Sequence, residues 1–89
     1  YTAVDRAEGE PQRAFAANAQ GPAGLAEAAA AAGAKLVHFS TDYVFGGPAE
    51  RPWRPADAPA PLNVYGASKS EGERLILQAQ PEALVIRTA

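Results

Sequence analysis

No cysteine occurs among the 89 residues, so disulfides and thiolate metal sites are excluded. Methionine is absent, and histidine and tryptophan occur once each. A single His38 builds no metal cluster, so no metal site is expected within the chain. Charge is sparse and nearly balanced, at 20% of residues and a net of −2, and the basic residues are scattered. That pattern carries no nucleic-acid footprint. No apolar run approaches the ~20 residues of a membrane span. The opening YTAVDRAEGEP has neither the basic n-region nor the apolar h-region of a secretory signal. What remains is a chain with 47% hydrophobic residues, which reads as folded rather than disordered. Its length suits at most one small domain. Because it opens on Tyr1 rather than Met and ends just after an apolar strand-like run, it reads as a piece of a longer protein.

Residues 1–10 are polar and irregular, and suggest a strand end running into a loop. From Pro11 to Ala32 the alanine-rich sequence predicts a helix, with Pro11 in its first turn and Gly33 as its stop. Pro22 cannot donate to the carbonyl of Asn18, so a kink or break is expected there. KLVHFST (35–41) is short, β-branched and aromatic, and reads as a buried strand. A long proline-rich loop follows, in which Tyr43, Phe45 and Trp53 argue for packing onto something. Asn63 suits the N-cap of a second helix from Val64 to about Gln80, Pro81 ends it, and ALVIRTA is a second buried strand. Strands separated by helices imply a parallel sheet with right-handed crossovers. The expected class is therefore α/β, part of a Rossmann-like doubly wound parallel sheet. Ligands of such sheets bind beyond the C-terminal strand ends, which here carry Ser40, Thr41, Asp42 and Tyr43.

Tyr65 and Lys69 are spaced i, i+4 and share a helix face near its start. An ammonium beside a phenol favours phenolate, which suits a general acid near neutral pH. Read from spacing alone, the pair is either catalytic or an accident of helix geometry. Thr41 offers a hydroxyl that could converge with the phenol on one carbonyl oxygen. It could equally satisfy backbone groups at the strand end. Asp42 either orients a substrate hydroxyl or caps the loop. Gly66 and Gly72 cost helix stability, which close approach of a ligand or a packed strand would explain. Glu71 and Glu73 read as solvated charges, and His38 as a packed or capped histidine rather than a base.

HFSTDYVFGG (38–47) and, after the loop, PLNVYGASKSEGE (61–73) together resemble the extended short-chain dehydrogenase/reductase superfamily. Within it, Thr41-Asp42-Tyr43 looks like the dTDP-4-dehydrorhamnose reductase family rather than the related epimerases and dehydratases. The likeness runs over essentially all 89 residues. It implies the central part of one NAD(P)-binding Rossmann-like domain over residues 1–89, without the glycine-rich loop before it or the substrate region after it. It implies NADPH, with NADH accepted, as hydride donor to the C4 keto group of dTDP-4-dehydro-L-rhamnose. Any Mg2+ would sit at a subunit interface outside these residues. The parent would be a cytoplasmic homodimer with no membrane or nucleic-acid partner, and the isolated piece would be inactive. Carried over by position, Tyr65 is the general acid, Lys69 tunes the phenol and holds the nicotinamide ribose, and Thr41 bonds the substrate carbonyl. Ser40 and Thr2 fall on the cofactor side, and Asp42, Tyr43 and Val4 on the substrate side. Gly46-Gly47 departs from the Asp-Gly that is frequent in the family. Two alternatives stay open. One is a non-catalytic NADP-binding regulatory subunit of the methionine adenosyltransferase type, which shares a similar pattern. The other is a reductase or epimerase for another nucleotide sugar.

Overall fold

A computed structural model describes residues 2–46 and 54–88. The expected packing of Trp53 and the turn at Gly47 lie outside the described residues. The chain opens on a four-residue helix, α1 (Val4–Ala7), instead of the strand end expected there. Four residues are too few to show a helical period, which is why the pattern was not legible. Helix α2 (Pro11–Phe15) has Pro11 in its first turn, where its missing N–H costs nothing. It runs through a π-helical turn (Ala16–Gln20) into α3 (Gly21–Ala31). The break expected at Pro22 thus takes the form of a π turn, and the helical path continues. The Gly21 N–H bonds Ala16 O, five residues back. Helix α3 ends in a Schellman motif, with Gly33 at φ 72° and the N–H groups of Gly33 and Ala34 on the carbonyls of Ala30 and Ala29.

Strands β1 (Val37–Thr41) and β2 (Leu84–Thr88) pair in parallel, with Val37 opposite Leu84 and Thr41 opposite Thr88. Between them lie a 3-10 turn (Asp42–Val44), the proline-rich loop, and α4 (Val64–Ala79). The Asn63 side chain caps α4 by accepting from Gly66 N at 2.7 Å. At the other end Gln80 is buried and doubly engaged. It accepts from Leu36 N at 2.7 Å and donates to Ala34 O at 3.0 Å, tying the end of α4 to the approach of β1.

Helix α4 is the hub: α2, the π turn, α3, the 3-10 turn and β1 all pack on it. Two glycines allow this. A Cβ on Gly72 would strike the carbonyl of Asn18 in the π turn, and one on Gly66 the carbonyl of Tyr43. The close neighbours are therefore a helix and a turn rather than a ligand or a strand. Both strands were expected to be buried, yet Val37, Phe39 and Leu84 are exposed among the described residues. Successive strand side chains alternate faces, and from Val37 to Ser40 the exposed Val37 and Phe39 alternate with the more buried His38 and Ser40.

Candidate active site

Thr41 ends β1 and is buried, and its Oγ1 accepts from the backbone N–H of Tyr43 at 3.2 Å. The hydroxyl therefore does satisfy a backbone group at the strand end. A hydroxyl that accepts one bond still holds its own proton to donate. Tyr65 stands in the first turn of α4, buried in an apolar cluster with Ala7 and Ala14, against which Val4 and Val64 pack. Tyr43 meets it edge-on, ring centroids 5.6 Å apart. That contact exists because Gly66 has no side chain, so α4 can lie directly on the Tyr43 backbone.

Lys69 donates from Nζ to the carbonyl of Phe39 at 2.9 Å, which draws the ammonium to the β1 backbone. Burial pushes its pKa below the ordinary lysine value, and Glu73 pulls the other way. An ammonium has three donors, so two remain for hydroxyls of a bound molecule. His38 is half-buried under the same helix, with Nε2 unpartnered. Burial lowers its pKa first and the Lys69 charge second, while Glu73 raises it. Its role as a packed histidine fits this neutral form.

The remaining candidates divide. Ser40 is buried with an unpartnered Oγ, the orphaned polar atom a bound group could satisfy. Asp42 is exposed and lines a cavity of about 620 Å³ with Phe45, Arg54, Arg87 and Thr88. Val4 packs beside Tyr65, and Thr2 is exposed at the start of the described chain. Thr41, Tyr43, Tyr65 and Lys69 are thus gathered around the end of β1 and the start of α4. Among the described residues no three His, Cys, Asp or Glu side chains group as a metal site would require.

Two further polar residues serve this site and were missed in the sequence. Asn18, buried in the π turn, donates to Ser68 Oγ at 3.0 Å, and Ser68 Oγ donates to the Tyr65 carbonyl at 2.8 Å. The signal was present: Pro22 withholds the N–H that the Asn18 carbonyl would take in a regular helix. Glu73 corrects another reading. It is only 5% exposed, not solvated, because Arg87 of β2 grips its carboxylate. Glu71 behaves as expected, pairing with Arg74 at the surface.

A dTDP-4-dehydrorhamnose reductase of Mycolicibacterium smegmatis is 52% identical over the whole chain, which covers 28% of that protein. One of Mycobacterium tuberculosis is 53% identical, with 31% of its length covered. The chain thus spans about a third of the curated relatives it matches. A crystal structure of a dTDP-4-dehydrorhamnose reductase from Clostridium acetobutylicum superposes with TM-score 0.97 at 43% identity, covering all of this chain and 32% of that one. Another from Bacillus anthracis, in complex with NADP, gives TM-score 0.94 at 42% identity over 98% of this chain and 31% of that one. The family model described as RmlD substrate binding domain matches residues 1–89, and the chain belongs to that family.

Proposed function

We propose that the protein containing this chain reduces the C4 keto group of dTDP-4-dehydro-L-rhamnose with NADPH, giving dTDP-L-rhamnose. The observation that carries this reading is that Tyr43 joins Thr41, whose Oγ1 accepts its N–H, to Tyr65, whose ring it meets edge-on, while Lys69 is held on the Phe39 carbonyl of the same strand. Thr41 donates its free O–H to the substrate carbonyl oxygen and polarises it. Tyr65 hands its phenolic proton to the same oxygen as charge develops there. The nicotinamide cofactor, when bound, supplies the hydride to C4, and NADH can replace NADPH. Lys69 uses its two remaining donors to hold the nicotinamide ribose. Ser40 and Thr2 face the cofactor, and Asp42, Tyr43 and Val4 the sugar. The reductase names of the relatives and the NADP complex support this over the regulatory-subunit alternative.

The chain supplies the acid and its neighbours, and the rest of the parent supplies the remainder of the site. The parent acts as a cytoplasmic homodimer. The test uses the full-length protein. Loss of NADPH absorbance is expected to require the 4-keto sugar nucleotide and to yield the 4-hydroxy product. Turnover without the keto sugar nucleotide, or none with it, would refute the reading.

A further inference from the structure

Arg87 of β2 bonds α4 and the proline-rich loop and packs on Phe45. Its Nε lies 3.2 and 3.0 Å from the two Glu73 carboxylate oxygens, and Nη2 lies 2.6 Å from one of them. Nη1 donates to the Pro55 carbonyl at 3.2 Å. The guanidinium carbon sits 4.9 Å from the Phe45 ring centroid. Each partner belongs to a different part of the site. Glu73 lies one helical turn beyond Lys69 on the same face of α4. Phe45 leaves the 3-10 turn that carries Asp42 and Tyr43, and its N–H bonds Asp42 O at 3.0 Å. Pro55 lies on the loop returning to α4. A planar guanidinium with five donors can hold a carboxylate, a carbonyl and an aromatic face together, which an ammonium cannot.

We propose that Arg87 and Glu73 form the positioning pair of the site, locking the Tyr65 and Lys69 face of α4 to the turn that presents Thr41, Asp42 and Tyr43. The inference rests on the reductase reading only for its kinetic readout. The titratable groups around Lys69 are Glu73 on α4 and the neutral His38 on β1, with Arg87 of β2 paired to Glu73 and Tyr65 one turn behind on α4. Glu73 supports the Lys69 ammonium, and Arg87 holds the carboxylate that gives this support. A brace with no electrostatic part would leave the Lys69 midpoint where it is when Glu73 loses its charge.

The experiment compares Glu73→Gln, Arg87→Met and Arg87→Lys with the full-length parent, all rates normalised to folded protein. Turnover is expected to fall about tenfold to a hundredfold in Arg87→Met, as slight misplacement of reacting groups does. Arg87→Lys is expected to keep the charge yet fail to restore the rate. The pH midpoint of Lys69 is read directly from its side-chain Cε carbon resonance, assigned with Lys69→Arg. It is expected to move down in Glu73→Gln, which removes the charge that supports the ammonium. Coincident Lys69 midpoints in all variants, or full activity in Arg87→Lys, would overturn the proposal. Lys69 midpoints that move as stated in a parent without reductase turnover would sink the functional reading and leave the positioning pair standing.

Discussion

Adding one methyl group at Gly66 tests how the site is held. Alanine is the better helix former, so Gly66→Ala gains at most about 1 kcal/mol at this first-turn position. Against that, the new Cβ strikes the Tyr43 carbonyl, with the Tyr43 carbonyl carbon at 3.0 Å and Asn63 Oδ1 at 3.1 Å. Neither neighbour is a flexible side-chain end. The Tyr43 backbone is tied to Thr41 Oγ1, and Asn63 Oδ1 is the cap acceptor of α4. If they yield, the cap (~1 kcal/mol) and the edge-on tyrosine pair (~0.5–1.5 kcal/mol) are weakened together. If they hold, overpacking costs about 1–3 kcal/mol. Neither route falls short of the propensity gain, so the expected result is a net loss of up to about 2 kcal/mol. It should appear as a lower urea midpoint at unchanged slope in the full-length protein. Turnover should fall further than stability, because Tyr43 and Tyr65 are the groups displaced. Gly24→Ala is the control: nothing lies within 4 Å of its Cβ, and a gain of up to about 1 kcal/mol is expected. A Gly66→Ala protein as stable and as active as its parent would refute the reasoning.

Two other outcomes follow from the buried polar groups. Asn18→Ala leaves Ser68 Oγ without its donor and is expected to cost about 1–3 kcal/mol in urea unfolding, whereas a change within error would mean that the Asn18–Ser68 link is dispensable. His38 has a folded pKa below the ordinary histidine value of 6.5, so the unfolded chain binds its proton first. Its contribution is then fully present above pH 6.5 and is lost as pH falls from there through the folded pKa. Stability of the parent should decline over that window, and His38→Gln should flatten the decline. An equal decline in the variant would assign it to other groups.

Local chemistry was legible where the signal sits within a few residues. Asn63 as cap, Pro81 as stop, Gly33 as helix end and the i, i+4 spacing of Tyr65 and Lys69 each act within one helical turn. The two strands and their parallel pairing followed from their order with the helices. Glu73 was misread because its partner Arg87 lies 14 residues away on a strand, and an acid among polar helix neighbours looks solvated. Asn18 was overlooked because an asparagine in an alanine-rich helix is unremarked until Gly72 is seen to admit its carbonyl. Gly66 and Gly72 were recognised as costly, but spacing does not say that the bodies approaching them are a turn and a helix. The hydride donor and the sugar lay beyond spacing altogether and came from the resemblance in STDYVF and YGASK.

The central claim is that Tyr65 gives its proton to the reduced carbonyl, with Lys69 and Thr41 assisting. The most direct measurement is turnover of the 4-keto sugar nucleotide by a full-length Tyr65→Phe protein. Phenylalanine keeps the ring against Tyr43 and removes only the proton donor. The account predicts a loss of about 10²–10⁴-fold in kcat with NADP binding retained. Full turnover in Tyr65→Phe would contradict it.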